Sequence, residues 1–126
     1  MTSYTTVPIL TVTEYGVPAG NYDGSSLDFV SNGATAANYY GGQGSIQTVT
    51  FRVTGFQGNI RLEATLDDSL AVNTDQAAWA EVYDYDHLLA PTTEFHPVTI
   101  TGNFTYMRVR VLGFVAGTIN SIAIAY

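Results

Sequence analysis

Residues 47–66, QTVTFRVTGFQGNIRLEATL, decide the fold class. Apolar and polar side chains alternate in both halves of this stretch, with apolar positions at Val49, Phe51 and Val53, and then at Ile60, Leu62, Ala64 and Leu66. A period of two is typical of a β-strand that buries one face. The glycines Gly55 and Gly58 separate the halves and predict a turn between two strands.

The same alternation recurs along the chain. Met107, Val109 and Val111 alternate with Arg108 and Arg110, and weaker strand-like runs cover Ile9–Thr13, Leu27–Val30, Glu94–Thr101 and Ile119–Tyr126. Helical propensity is confined to one turn, which the sequence places at Asp75–Trp79. About eight short strands joined by polar turns predict an all-β, antiparallel β-sandwich of the jelly-roll type. An immunoglobulin-like sandwich is the alternative, although the cysteine pair common in such domains is missing.

The sandwich domain is expected over residues 27–126. Residues 1–26 lack a strong core pattern after Thr13 and predict an N-terminal arm that docks on a neighbour, or else a first strand. Within the domain, residues 51–60 and 109–119 share one order of features: strand, Gly-Phe, glycine turn, strand. This similarity has two explanations. Either the stretches are independent hairpins that each need glycine, or they are the two copies of a half-repeat of the sandwich.

Composition excludes several functions. The 126 residues include four arginines, no lysine and no cysteine, with a net charge of −7. Phosphate backbones and anionic lipids require clustered cations, so neither nucleic acid nor a membrane surface is an expected partner. Without cysteine there are no disulfides and no thiolate metal sites. All four arginines occupy polar positions of strands, which indicates ion-pair or interface residues, with Arg61 near Glu63 on one sheet face.

Candidate catalytic and metal-binding residues are few. His87 with Asp84 and Asp86 is a conceivable acid–base or metal group, but a solvated loop histidine explains the same pattern. Asp67, Asp68 and Asp75 are weak candidates for calcium ligands, because the glycine and terminal glutamate of an EF-hand loop are missing. No nucleophile elbow or phosphate-binding loop is present. We therefore expect a non-enzymatic protein without a cofactor.

Aromatic residues are the remaining candidates for contact. Tyrosine and tryptophan in loops serve both protein interfaces and sugar-stacking surfaces. The sequence predicts interface or ligand contacts at five such residues: Tyr39, Tyr40, Trp79, Tyr83 and Tyr85. For Trp79 the alternative is a core position beneath a loop.

A family resemblance rests on several segments. Residues 39–49 (YYGGQGSIQTV) and 53–66 (VTGFQGNIRLEATL), the acidic loop with a tryptophan at 75–82, and the stretches 102–109 and 114–120 resemble virion structural proteins of tailed phages, especially contractile phages of cyanobacteria. The resemblance covers roughly residues 27–126. It implies a non-enzymatic β-sandwich on the exterior of the particle, as a head decoration protein, a neck or tail fibre component, or a fibre-tip module.

The resemblance also sets expectations for partners and location. Since such modules occur within longer fibre chains, a module standing nearly alone favours a small decoration or attachment subunit. Expected partners are other virion proteins and further copies of the chain, with a trimer as the guess, in a particle assembled in the host cytoplasm. The alternative function is a module that binds a host receptor or host surface glycan.

Overall fold

The computed structural model describes residues 6–39 and 44–126. These residues form one helix, α1 (Ser69–Asn73), and seven strands: β1 (Thr6–Leu10), β2 (Thr13–Glu14), β3 (Phe29–Val30), β4 (Ala34–Thr35), β5 (Ile46–Thr65), β6 (Ala80–Thr101) and β7 (Tyr106–Ala125). All described strands belong to one antiparallel sheet with the order β1-β7-β5-β6, and β2, β3 and β4 also pair with β7. Strands β5 and β7 are therefore central, and β6 lies at an edge.

The sheet folds over on itself to make a sandwich of two layers. Layer one contains β1, the first half of β5 and the second halves of β6 and β7, whereas layer two contains β3, β4 and the remaining halves of the long strands. Phe51 of layer one stacks on Tyr85 of layer two with ring centroids 4.8 Å apart, although Tyr85 pairs in register with Ile60. The predicted all-β antiparallel sandwich is confirmed.

Glycines bend the long strands between the layers. The sequence predicted that the glycines at 55 and 58 end one strand and begin another, and this detail is wrong, because β5 runs through them. Gly55 has a φ of 60°, and the ladder of β5 shifts register on either side of Phe56. Left-handed glycines and bulges turn a strand sharply while its pairing continues on both sides.

The two similar stretches of sequence meet at this bend. Strands β5 and β7 are antiparallel neighbours, so the backbone of Gly55 lies directly against Gly117. The rings of Phe56 and Phe114 follow the first glycine of each stretch and are both fully buried, with centroids 5.7 Å apart. The two stretches are therefore halves of a single bend and not two separate hairpins.

The N-terminal segment packs on its own chain over its described part, residues 6–26. Strand β1 pairs with the end of β7, where Thr6 lies opposite Ala125, and β2 pairs with β7 at Thr13 and Ile119. Tyr22 is buried against Phe114. This arrangement matches the first-strand alternative, while residues 1–5 lie outside the described part.

The helix lies earlier than the sequence suggested. A helical turn was predicted at Asp75–Trp79, but α1 covers Ser69–Asn73 because the Asp68 carboxylate accepts a hydrogen bond from the backbone N–H of Ala71 at 2.9 Å. Such a side-chain cap satisfies an N–H group that has no partner within the helix. Among the described residues no helix has the length and apolarity needed to cross a bilayer.

Candidate functional site

Tyr39 lies at the end of the sandwich opposite the glycine bend, which we call the open end and which also contains α1 and Tyr106. The Tyr39 ring meets the Tyr106 ring edge to face at 5.4 Å. The two tyrosines border a cleft of about 230 Å³ whose other lining residues are Asn38, Leu66, Asp68, Ser69 and Thr105. Tyr40, the neighbouring predicted contact, lies outside the described residues.

Tyr83 and Tyr85 face the interior where β6 folds over itself. Tyr83 is half-buried, and its hydroxyl lies 2.7 Å from Nε2 of His96. Tyr85 is only 2 % exposed, and its hydroxyl donates to Glu94 at 2.6 Å. The expectation of an exposed contact is wrong for Tyr85, because its ring belongs to the core stacked on Phe51.

The groups around Glu94 have limited chemical capacity. Burial, and secondly the hydrogen bond to Glu94, raise the pKa of Tyr85, so its hydroxyl stays protonated. His87 lies 3.3 Å from the same carboxylate. The conceivable group of His87 with Asp84 and Asp86 does not form, since Asp84 accepts from the side chain of Asn59 and Asp86 accepts from the backbone N–H of Leu88.

Trp79 lies on the outer surface of layer two. The guanidinium of Arg108 is stacked 4.4 Å from the Trp79 ring centroid, and the six-membered ring of Trp79 lies close to Gly33. Nε of Arg108 also donates to Glu63 at 2.7 Å, and Nε of Arg110 contacts the other oxygen of Glu63 at 3.3 Å. Trp79 therefore packs against a cluster of ion pairs formed by Arg108, Arg110 and Glu63.

This cluster extends across the layer-two face, which we define by the outward residues Arg61, Glu63, Glu81, Asp84, Arg108 and Arg110. Nε of Arg61 contacts Glu81 at 3.3 Å and Asn59 at 3.2 Å. The sequence correctly placed Arg61 and Glu63 on one face, but Glu63 binds the arginines of β7 instead. Three cations and three carboxylates therefore balance on this face.

The predicted calcium ligands serve as backbone caps. Asp67 accepts from the N–H of Ala78 at 2.7 Å, and Asp68 caps α1. Asp75 has a φ of 59° in the loop that follows the helix. No group of three or more acidic or histidine side chains suited to a metal ion occurs within residues 6–39 and 44–126.

The layer-one face differs in having mostly short, uncharged side chains. We define it by the outward residues Thr6, Pro8, Thr48, Thr50, Arg52, Phe95, Pro97, Thr99, Ser121, Ala123 and Ala125, whose positions follow from the strand register. Arg52 is its only charged residue, and the Arg52 guanidinium lies 4.6 Å from the centroid of the exposed Phe95 ring. Beside this pair runs a shallow groove of about 450 Å³ whose other lining residues are Val53, Thr93, Glu94 and Asn120.

A second apolar feature surrounds the glycine bend, and we call it the bend end. Its members are the exposed side chains Tyr15, Leu27, Leu88, Leu89 and Val115. The Leu88 side chain lies beside Gly113, the backbone carbonyl of Leu27 accepts the N–H of Phe114, and the Tyr15 ring meets the Phe114 ring at 5.7 Å. Leu89 is 99 % exposed. The bend end thus gathers several exposed apolar side chains around one bend.

Sequence reasoning missed both of these surfaces. The pair Leu88-Leu89 beside an acidic stretch is a visible signal of exposed apolar residues, because the strand pattern breaks there. Arg52 and Phe95 are far apart in sequence, and only the register of β5 with β6 joins them.

No family model and no curated protein sequence matches the chain.

Proposed function

We propose that this chain is a non-enzymatic structural protein on the exterior of a tailed-phage virion, where it acts through protein–protein contacts as a capsid decoration or cement protein, or as a small fibre or attachment subunit. The resemblance of residues 27–126 to such proteins supports the phage particle as the place where the chain acts. The chemistry of the surface gives the mode of action, which is contact without catalysis.

The layer-one face is the observation that carries this proposal. In a protein of net charge −7, eleven outward positions on one layer contain no carboxylate and a single cation. The centres of protein interfaces are depleted in charged residues and enriched in aromatic residues and arginine. Short side chains on a sheet also leave an even surface, against which another protein packs without reorganising long side chains.

The charged groups elsewhere in the chain support the same function, because most of their hydrogen bonds and ion pairs are made within the protein. Glu63 and Glu94 each bind two side chains of the chain itself, and Asp67 and Asp68 cap backbone N–H groups. Groups held in this way stabilise a rigid module. A rigid subunit is suited to bridging capsid or tail proteins, because little conformational freedom is lost on binding.

Quantitative mass spectrometry of purified particles tests this proposal. We expect the chain in the particle, and its copy number relative to the major capsid protein assigns the role. A copy number close to that of the capsid protein indicates decoration, and one close to that of neck or fibre components indicates attachment. Absence from intact, washed particles of a host lysate that contains the chain would overturn the proposal.

A second candidate function is glycan binding, which the cleft at the open end favours. Tyr39 supplies an aromatic ring backed by the buried Tyr106, and Asp68, whose carboxylate caps α1, lines the same cleft. Sugar sites combine a ring that stacks on the pyranose with polar groups that bind its hydroxyls. The volume of about 230 Å³ is sufficient for a single sugar unit.

Thermal-shift measurements with host surface polysaccharide separate the two functions. A ligand that binds only the folded protein raises the melting temperature. For glycan binding we expect such a rise in the wild type and its loss in Tyr39→Ala, while Tyr15→Ala, at the other end of the sandwich, keeps the response. An unchanged melting temperature in all three proteins argues against a glycan site in this cleft.

A further inference from the structure

The bend end carries negative charge around its apolar centre. Glu14 precedes Tyr15, Asp28 follows Leu27, and Asp86 lies two residues before Leu88. The carboxylates of Asp28 and Asp86 accept backbone N–H groups of the bend, at Gly113 and Leu88, and so are fixed at its rim. The segments that build the bend end, residues 11–29, 54–60, 84–92 and 111–119, contain no lysine and no arginine.

The layer-one face carries the complementary charge. Arg61, Arg108 and Arg110 bind carboxylates of the layer-two face. Arg52 has no carboxylate within ion-pair distance among the described residues, and it stacks on Phe95, which is 54 % exposed. An arginine on an exposed aromatic ring is a common centre of a protein interface. The adjacent groove is also lined by Glu94, whose carboxylate is bound by Tyr85 and His87, and it offers space for an apolar side chain.

Charge decides between the arrangements of two copies. A two-fold contact between bend ends places Glu14, Asp28 and Asp86 of one copy against the same three residues of the other, and like charges repel. A two-fold contact between layer-one faces leaves the leucines of both bend ends exposed. Only a contact between the bend end of one copy and the layer-one face of the next covers both apolar surfaces and joins opposite charges.

We propose that this chain assembles with itself head to tail, with the bend end of each copy seated on the Arg52–Phe95 surface of the next. Leu89, the most exposed apolar side chain of the bend end, occupies the groove beside Arg52. A contact between two different surfaces leaves both surfaces available at the ends of an assembly, so it closes into a ring or continues as a filament. This inference concerns the isolated protein and does not depend on the virion role.

Two single variants and a mixture of them test the contact. Light scattering after size-exclusion chromatography is run at a protein concentration of about 100 µM, where a contact with a micromolar dissociation constant is saturated. We expect the wild type to be oligomeric and both Leu89→Asp and Arg52→Glu to be monomeric. Mixed in equal amounts, the two variants retain one intact pair of surfaces and form a heterodimer of twice the monomer mass.

Two controls distinguish loss of contact from loss of fold. Leu70→Asp places the same charge on an exposed leucine at the open end, and we expect it to stay oligomeric. Circular dichroism and the melting temperature of each monomeric variant report whether the sandwich is intact. Raising the salt concentration weakens the wild-type association by screening Arg52 from the carboxylates.

Three results would overturn the head-to-tail contact. The first is a wild type that stays monomeric at this concentration. The second is a Leu89→Asp or Arg52→Glu protein that is folded and still oligomeric. The third is a mixture of two monomeric variants that remains monomeric, which indicates a contact between identical surfaces. None of these results bears on whether the chain is found in virions.

Discussion

The two layers of the sandwich are built from the same three long strands, yet their outer faces differ in chemistry. The layer-two face carries three arginines paired with Glu63 or Glu81, together with Asp84, which accepts from Asn59. The layer-one face carries threonine, alanine, serine and proline around Arg52 and Phe95. Both layers bury the same kinds of residue inward, so folding imposes similar demands on both. Under the proposed function, layer one meets a protein partner and layer two meets water, which accounts for the difference between their outer faces.

Two substitutions at glycine test whether the layers depend on the shared bend. Gly117→Ala places a Cβ against the backbone of Gly55 at a φ of 87°, and we expect it to lower the free energy of unfolding by more than about 3 kcal/mol. Gly16→Ala is the matched control, because Gly16 has a φ of 86° and a Cβ added there meets no atom within 4 Å, and we expect about 1–2 kcal/mol. Urea denaturation measures both, and equal losses would contradict a tight glycine contact at the bend.

Removing Glu63 breaks the charge network that distinguishes the layer-two face. The side chains of Glu63 and Arg108 are only 13 % and 17 % exposed, so Glu63→Gln leaves a largely buried guanidinium without its counter-ion. We expect a loss of about 2 kcal/mol in the free energy of unfolding at neutral pH. Glu81→Gln alters the exposed pair with Arg61, and about 0.5 kcal/mol is expected there. If both variants lose the same free energy of unfolding, the buried ion pairs of Glu63 stabilise the protein no more than the exposed pair of Arg61 and Glu81.

Tyr85→Phe tests a hydrogen bond between the two layers, because the Tyr85 hydroxyl of layer two donates to Glu94 of layer one. We expect a loss of about 1 kcal/mol at neutral pH. The raised pKa of Tyr85 means that the folded state favours the protonated phenol, so this stabilisation is complete below the ordinary pKa of 10.0 and declines as the pH rises above it. Ultraviolet titration of the folded wild type should leave Tyr85 protonated, and ionisation of every tyrosine near pH 10 before unfolding would contradict this.

Asp23 lies on neither face, and the smallest expected effect concerns how local hydrogen bonds change the pKa of this solvated carboxylate. Its oxygens accept from the Ser26 hydroxyl and from the N–H groups of Ser25 and Ser26, and these bonds lower its pKa from 3.8 to about 2. The resulting stabilisation is present above pH 3.8 and is lost as the pH falls towards 2. NMR titration should show the low pKa in the wild type and a higher one in Ser26→Ala. An unchanged pKa in the variant would assign the shift to another group.

Much of the fold follows from local patterns. The alternation at Val49, Phe51 and Val53 identifies a strand with one buried face, and the structure buries all three residues. What the pattern does not contain is the difference between a turn and a bend, since glycine at positive φ serves both. The choice at Gly55 depends on Gly117, which lies 62 positions later and whose lack of a side chain allows the backbones to meet.

The candidate surfaces were less predictable than the strands. Tyr85 lies between two aspartates and reads as an exposed residue, but Phe51 and His96 enclose it from the other layer. Similarly, the four arginines are equivalent in sequence, each on the polar side of a strand. Only the register separates Arg52, which faces Phe95, from Arg108, which faces Glu63. Contacts across the sheet therefore determine which polar residues are available to a partner.

The position of β7 has a consequence for how the chain folds. This strand comes after every other described element in sequence, yet β1, β2, β3, β4 and β5 all pair with it. During synthesis the β5–β6 pair can form on its own, while the N-terminal strands have no partner until β7 has left the ribosome. Pairings between residues as distant as Thr6 and Ala125 are slow to form, because a long loop must close first. The apolar sides of β1 and β5 are thus unprotected in the growing chain, and refolding is expected to be slow for a protein of this size.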